Sequence, residues 1–318
     1  MKRWGWILGA AVLCVLMNAN DVWAWGPATH VGLGLGALDQ LSLLPPVLAA
    51  LLARHRIAYL YGNIAADIVF AKRWSRVKQF CHHWSTGFRL LSSARDDRGK
   101  AFAYGYLSHL AADTVAHGKY VPHQVLLSEC SVNFGHFFWE LRADSAAPDQ
   151  HRQALKDILE MEQGHHHLTL SSHLTGTFLP YEWNRILFDQ LNTLAAMRTF
   201  RRGVGLWDLH PRWQLPDDLI RAYRGESLDR MMSVFVEGQR SPVLRDDPNG
   251  TSALMQASVR RREMRNRKRN GLPVARRLSE TTRGLSPVAL PVLSFPVPAR
   301  TIQNPTTAGP GKITINVG

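Results

Sequence analysis

The segment KAFAYGYLSHLAADTVAHG, residues 100–118, decides the fold class of this chain, because it is the strongest apolar periodic stretch in the sequence. His109, Asp113 and His117 recur in it every four residues, so on an α-helix they form one stripe. The other positions are mostly apolar, and a helix that is apolar nearly all round is buried in a core. A buried carboxylate between two buried imidazoles is costly unless each group is paired or bound to a metal.

The segment FGHFFWEL, residues 134–141, repeats this arrangement on a second apolar helix, with His136 and Glu140 four residues apart. Imidazole and carboxylate are together a ligand set that suits zinc. For either pair alone, an ion pair on a helix surface is the simpler interpretation. Both pairs on apolar helices predict a buried zinc cluster.

Helical periodicity covers most of the chain before residue 240, and the alternation typical of strands is scarce, which predicts an all-α fold. Pro45-Pro46 should interrupt the first helical stretch. The predicted helices span residues 27–53, 57–72, 77–95, 100–118, 131–144, 148–163, 181–202 and 215–238. We therefore predict a single helical domain over residues 25–240.

The formal net charge of +13 is concentrated near the C-terminus. Residues 260–269 alone contain seven Lys or Arg and one Glu, whereas residues 25–259 are nearly neutral. A basic groove spread over the main domain, as nucleic-acid binding requires, is not indicated. Residues 241–269 are predicted to form a basic helical extension. Residues 270–318, which are Pro-rich and basic, are predicted to form a disordered tail. Such a tail could contact an anionic surface such as lipid.

The first 24 residues have the organisation of a cleavable signal peptide. Lys2 and Arg3 precede an apolar run from Trp4 to Met17, and Val22-Trp23-Ala24 supplies small residues before a cleavage site. The run is shorter than the ~20 residues needed to span a bilayer. We expect an exported protein, periplasmic or secreted, whose mature form begins at Trp25.

Further candidate ligands lie upstream of the two helical pairs. Asp67 ends the motif YGNIAAD, and His82 and His83 in CHHW compete for one role, with His82 preferred. His30 lies five residues after the expected N-terminus. The free α-amine and the carbonyl oxygen of Trp25 can together chelate a metal, since the amine has a pKa near ~8 and loses its proton readily.

In chain order, the motifs AWGPATH, YGNIAAD, CHHW, HLAADTVAH and HFFWE resemble the zinc-dependent phospholipase C family. The resemblance covers about residues 25–200 and is closest to the branch shared with the N-terminal domain of glycosylphosphatidylinositol phospholipase D. It implies an all-helical domain with a buried zinc cluster. Fungal single-strand nucleases share that fold, but their last ligand pair ends in Asp, whereas this chain has Glu140.

The resemblance also implies roles for individual residues and binding of two or three zinc ions. Asp113 would bridge two ions, and Asp67 would act as a ligand or as the catalytic general base. The spacing from Asp113 to His117 follows the phospholipase D branch, and His123 is the fallback ligand. The implied zinc ligands are Trp25, His30, His82, His109, Asp113, His117, His136 and Glu140.

The function implied by this family is a secreted zinc phosphodiesterase of phospholipase C or D type, which cleaves phospholipids with a metal-activated water. Its expected partner is a phospholipid or a membrane surface. One alternative is a single-strand nuclease of the same fold, in which nucleic acid would be the partner. A second alternative is a zinc-stabilised protein without catalysis that binds a surface through the basic tail.

Two further features lack a ligand pattern. The run His165-His166-His167 is predicted to lie in an exposed loop, and the alternative is that it forms a lid over the zinc site. Cys81 and Cys130 are the two cysteines expected in the mature chain. In an oxidising compartment they are equally compatible with a disulfide and with two buried free thiols.

We predict that full zinc content requires removal of residues 1–24. A retained signal peptide turns the α-amine of Trp25 into an amide, whose nitrogen is not basic, so one ion should bind weakly or be absent. A form that begins Met-Trp displaces the amine by one residue and should be equally deficient. Metal analysis of these two forms beside exported, processed protein checks the prediction, and equal zinc content in all three would rule out the N-terminal ligand.

Overall fold

A computed structural model describes residues 25–68, 80–161, 166, 170 and 181–272, and none of these residues is in a strand. The predicted all-α fold is confirmed. The helices, in chain order, are α1 (Pro27–Leu38), α2 (Pro46–Arg54), α3 (Arg56–Ala65), α4 (Trp84–Ser93), α5 (Asp97–Val115), α6 (Val121–Ser128), α7 (Val132–Ser145), α8 (Asp149–Glu160), α9 (Tyr181–Ala196), α10 (Arg198–Gly205), α11 (Asp217–Glu237) and α12 (Thr251–Arg269). The predicted signal peptide and the tail beyond residue 272 lie outside the described residues.

Helix α5 forms the centre of the domain, as its apolar sequence predicts. Asp96 caps its first turn by accepting a hydrogen bond from the backbone N–H of Gly99 at 2.7 Å. Every residue from Gly105 to Val115 is buried. Helices α3, α4 and α11 pack around it, so the polar side chains of α5 are held away from solvent.

The contact between α3 and α5 requires two glycines. A Cβ atom on Gly62 would overlap the carbonyl oxygen of Phe102, and one on Gly105 would overlap that of Tyr59. Without side chains at these positions, the two backbones approach more closely than other residues allow. This approach brings the end of α3, and the turn that carries Asp67, beside the polar residues of α5.

The C-terminal part of the described chain packs on the same core. Pro45 and Pro46 do break the first helical stretch, since α1 ends at Leu38 and α2 begins at Pro46. The predicted basic helix is present as α12, and it packs against α6. Among the described residues, no helix combines the length and the hydropathy needed to cross a bilayer.

Several features differ from the sequence-based expectation. The helix predicted over residues 181–202 is divided at Met197, and the one predicted over residues 57–72 ends at Ala65. The segment predicted as one helix to residue 118 leaves the α-helical geometry after Val115 and continues as a π-helical turn over Ala116–Tyr120. The expected exposed loop is wrong for His166, which is helical and buried and stacks on Phe102 with ring centres 4.5 Å apart. His165 and His167 lie outside the described residues.

The two cysteines are free thiols. Cys81 is buried, and Cys130 is half-buried beside the hydroxyl of Ser128. Of the two alternatives left open by the sequence, the structure has the one without a disulfide.

We predict that Gly62→Ala destabilises the domain by about 2 kcal/mol or more, because the added methyl group forces α3 away from α5. The matched control is Gly225→Ala in α11, an exposed helix-interior position where a Cβ meets no atom. That change should raise the free energy of unfolding by about 0.5–1 kcal/mol. Denaturant unfolding measures both, and equal effects of the two substitutions would contradict the close packing of α3 on α5.

Candidate metal centre

Eight of the nine residues that the sequence singles out lie in three adjoining groups of buried imidazoles and carboxylates. In each group, one potential ligand atom per residue lies within 4.8 Å of the others. The groups are His30, His109 and Asp113; Asp67, His82 and His109; and His117, His136 and Glu140. The side chains come from α1, from α5 and the π-helical turn after it, from α7, and from residues between α3 and α4.

Asp113 is the centre of the first group. Its Oδ1 lies 3.2 Å from Nε2 of His30, and its Oδ2 lies 3.2 Å from Nε2 of His82. The same Oδ2 is 3.1 Å from Nε2 of His109, one turn earlier on α5. A single carboxylate thus faces three imidazoles from three segments, which is the position that the bridging role requires.

Asp67 and His82 form the second group together with His109. Oδ1 of Asp67 lies 3.2 Å from Nε2 of His82 and 3.7 Å from Nε2 of His109. The neighbouring His83 has an exposed side chain, whereas His82 is buried. The structure therefore places His82, the preferred candidate, in the group and leaves His83 outside it.

The third group lies on α7 and on the π-helical turn. Nε2 of His136 is 3.1 Å from Oε1 of Glu140, and Nε2 of His117 is 3.8 Å from the same oxygen. The sequence predicted one α-helical stripe of His109, Asp113 and His117; the α-helix ends at Val115, but the ring of His117 still lies beside that of His82, with ring centres 6.2 Å apart. The π-helical turn adds a residue to the helical repeat, so His117 faces the pair on α7.

Backbone carbonyl oxygens fix the orientation of two of the imidazoles. Nδ1 of His109 lies 2.9 Å from the carbonyl oxygen of Asn63, and Nδ1 of His117 lies 2.8 Å from that of Pro248. A carbonyl oxygen only accepts, so Nδ1 carries the hydrogen in both rings and donates it. In the neutral ring the Nε2 lone pair is then free, and it points into the cluster.

The loop before α12 contributes contacts that sequence reasoning missed. Besides the Pro248 carbonyl, Nδ2 of Asn249 donates to the carbonyl oxygen of His82 at 2.9 Å. Gly250 has a positive φ of 58° and sits where a Cβ would overlap the backbone of His117. The sequence shows these residues only as a turn-forming cluster, because a carbonyl contact over more than a hundred residues leaves no local spacing.

The electrostatics of the cluster leave part of it ready to accept a cation. Burial opposes the charge on His109, but the carboxylates of Asp113 and Asp67 outweigh it and raise the pKa of His109 to about 9. Burial lowers the pKa of His117 to about 4 and that of His136 well below its usual value. These two rings are therefore neutral at pH 7 and can bind a metal without releasing a proton.

Asp113 remains ionised despite its burial. Burial alone would raise its pKa, but the charge of His109 and hydrogen bonds from His109, His30 and His82 hold that pKa well below the usual range. A charged carboxylate among imidazoles is the form that ligates a divalent ion.

The residues present fit zinc. The nitrogen and oxygen atoms around Asp113 are 3.1–3.2 Å apart, and bonds of ~2.0–2.2 Å in a tetrahedral arrangement place ligand atoms roughly 3.3–3.6 Å from one another. In the third group, Nε2 of His117 and Nε2 of His136 are buried and make no well-aligned hydrogen bond among the described residues. Such atoms are costly in a protein interior unless a cation satisfies them.

Two other candidates lie apart from the three groups. The indole of Trp25 is buried, stacks on Tyr120 with ring centres 4.7 Å apart and donates to Oγ of Ser227 at 3.1 Å. This anchors the start of α1 near His30, and ligation through the main chain of Trp25 stays a prediction. His123, the fallback ligand, instead contacts the hydroxyl of Tyr223 through Nδ1 at 2.6 Å.

Comparison with known proteins points to the same chemistry. The sequence model of a family described as zinc dependent phospholipase C matches residues 29–178. An uncharacterized protein of Archaeoglobus fulgidus is 31% identical over 115 residues, which make up 34% of this chain and 30% of that protein. The chain thus covers less than a third of that relative's length. No solved structure matches the chain.

We predict that His82→Ala lowers the zinc content of the purified protein by about one ion, because the change removes a nitrogen that faces both Asp67 and Asp113. The adjacent His83→Ala is the matched control and should keep the full content, since that side chain is exposed. Elemental analysis after dialysis against metal-free buffer gives the result. Equal zinc in the two variants would contradict the ligand role of His82.

Proposed function

We propose, on the basis that residues 29–178 match the sequence model of the zinc-dependent phospholipase C family, that this protein hydrolyses the phosphodiester bond of phospholipids. The family match supports a zinc-dependent phosphodiesterase or phospholipase-like function. The observation that carries the proposal is the set of three adjoining groups of potential ligands, in which the buried carboxylate of Asp113 faces three imidazoles. We further propose that cleavage takes place on the C side of the phosphate, as in a phospholipase C.

The ligand groups would hold the metal, and Asp113 of the first group also faces His82 of the second, so its carboxylate could serve both. Zinc bound there would neutralise the charge of the phosphate and lower the pKa of a water molecule toward ~7. We propose two or three ions, as three groups of ligands allow. Asp113 and the Nε2 atoms of the imidazoles would supply the donors, with His109 releasing its proton when the ion binds. The carbonyls of Asn63 and Pro248 keep two of those rings in orientation.

The substrate should approach from the side of the third group. His117, His136 and Glu140 are 3–5% exposed, whereas His30, His109 and Asp113 are completely buried. A phosphate group from solvent therefore meets the third group first. The reaction needs no protein nucleophile, because water attacks the phosphorus.

Asp67 is proposed to accept the proton of the attacking water. Its Oδ1 faces His82 and His109, so the carboxylate lies at the centre where the phosphate would be bound. From the same position Asp67 could instead bind the metal as a ligand. The two roles differ in the effect of Asp67→Asn, since loss of a base leaves zinc in place and loss of a ligand does not.

Single-strand nuclease activity is the alternative that shares this fold and metal chemistry. The near-neutral charge of residues 25–259 does not favour a polyanionic substrate. Hydrolysis of a short-chain phosphatidylcholine and of single-stranded DNA, measured with the same zinc-loaded protein, separates the two. Cleavage of DNA alone would overturn the proposal, and inactivity on both would favour a non-catalytic surface-binding protein.

Export to the periplasm or the exterior, through residues 1–24, is part of the proposal.

We predict that Asp67→Asn lowers kcat on short-chain phosphatidylcholine by about 10²–10⁴-fold, because a neutral amide cannot take the proton. The control is Asp97→Asn, the same chemical change at an exposed carboxylate that pairs with Lys100. Zinc content is measured in parallel. Full zinc with lost activity supports the base, lost zinc supports the ligand, and wild-type kcat with full zinc would exclude Asp67 from the reaction.

A further inference from the structure

A basic pocket lies on the side of α12 that faces the end of α6. It is a cavity of about 410 Å³, and five of the six residues that line it are cationic. They are Glu129, Arg212, Arg261, Arg265, Lys268 and Arg269. One carboxylate cannot neutralise five cations, so the pocket carries a strong positive potential.

The contacts inside the pocket show which of its charged side chains already bind a neighbouring group. The carbonyl oxygen of Glu129 accepts from Nε of Arg261 at 3.0 Å, and its carboxylate lies 3.4 Å from Nζ of Lys268. Arg212 donates to the carbonyl oxygen of Ser128. Arg265 and Arg269, one turn apart on α12, have no acidic partner among the described residues. Like charges at this spacing repel each other until an anion binds.

An exposed apolar turn adjoins this pocket. In the 3-10 turn Leu206–Leu209, the exposed fractions are 65% for Leu206, 43% for Trp207 and 83% for Leu209. The ring of Trp207 contacts that of Trp213 at 5.3 Å, and Trp213 directly follows Arg212 of the pocket. The basic and the apolar features are therefore linked through Arg212 and Trp213, and together they are called the docking face.

We propose that this docking face, the basic pocket together with the turn Leu206–Leu209, binds a membrane surface that contains anionic lipids. Clustered Arg and Lys side chains attract such a surface, and exposed Leu and Trp side chains enter the boundary between headgroups and acyl chains. Tryptophan is well suited to this boundary because its ring is apolar and its N–H is polar. Exposed aliphatic side chains would gain nothing along the phosphates of a nucleic acid, so the combination favours lipid.

Helix α7 lies between the docking face and the metal centre. Trp207 contacts Phe134 and Phe138 of α7 with ring centres 6.3 and 5.3 Å apart. His136 and Glu140 each follow one of these residues by two positions, which is about 200° around an α-helix, so they lie on the opposite face of α7. A lipid surface bound at Trp207 would therefore be separated from the third ligand group by the width of one helix. Binding itself does not depend on the proposed hydrolysis, although the two together describe an enzyme that acts at an interface.

The experiment is cosedimentation of the full processed chain with vesicles of phosphatidylcholine mixed with phosphatidylglycerol, and with vesicles of phosphatidylcholine alone. We expect binding to the anionic vesicles that weakens with added salt. The double variant Arg265→Gln with Arg269→Gln should bind about 25-fold more weakly, since each cation near an anionic surface contributes roughly five-fold. Leu206→Ser with Leu209→Ser should also weaken binding, but without changing the salt dependence.

The matched control is Arg240→Gln with Arg262→Gln, which removes the same charge from exposed positions that do not line the pocket. It should bind the vesicles as the wild type does. Equal losses in this control and in the pocket variant would overturn the proposal, because net charge alone would then explain binding. A wild-type preference for single-stranded DNA over anionic vesicles would overturn it as well. The proposal would also be overturned if the wild-type protein forms a dimer that the leucine substitutions dissociate, because the apolar turn would then be a dimer interface.

Hydrolysis of a monomeric short-chain phosphatidylcholine, measured on the same samples, separates this inference from the proposed function. The docking variants should retain the wild-type rate on that substrate, because none of the changed residues belongs to the ligand groups. Hydrolysis without vesicle binding would overturn the docking face and leave the proposed function standing. Vesicle binding without hydrolysis would support the docking face and overturn the proposed function.

Discussion

The buried carboxylate of Asp113 is the constraint on which the rest of the structure depends. It faces imidazoles from α1, α5 and the turn before α4, at distances of 3.1–3.2 Å. A charge removed from water is stable only when oppositely charged or hydrogen-bonding groups surround it. The helical core must therefore bring three distant segments to one point, and the glycine contact between α3 and α5 is one of the means by which it does so.

The surrounding backbone gives the side chains their direction. The π-helical turn after α5 moves His117 to the group on α7, and the carbonyl of Pro248 fixes its ring. His109 is fixed in the same way by the carbonyl of Asn63. The arrangement that suits a cation thus depends on main-chain groups as much as on the ligands themselves.

The parts of the site that could be predicted from the sequence are those with local spacing. His109 with Asp113, and His136 with Glu140, are four residues apart on apolar helices, and the helical repeat alone puts each pair on one face. The π-helical turn has no such signature, because a single extra residue leaves the composition unchanged and shifts the helical repeat only locally. The burial of His166 and the role of Pro248 depend on partners distant in sequence, which periodicity cannot reveal.

The long-range closure of the centre by the loop before α12 has a consequence for folding kinetics. The hydrogen bond between His117 and Pro248 joins residues 131 positions apart, and that between Asn249 and His82 joins residues 167 positions apart. Contacts of such high sequence separation form late, because the entropy of closing the loop must be overcome first. During synthesis the ligands of α1 and α5 emerge long before the residues that orient them. The ring of His117 and the backbone of His82 consequently gain these contacts only when the C-terminal segment docks.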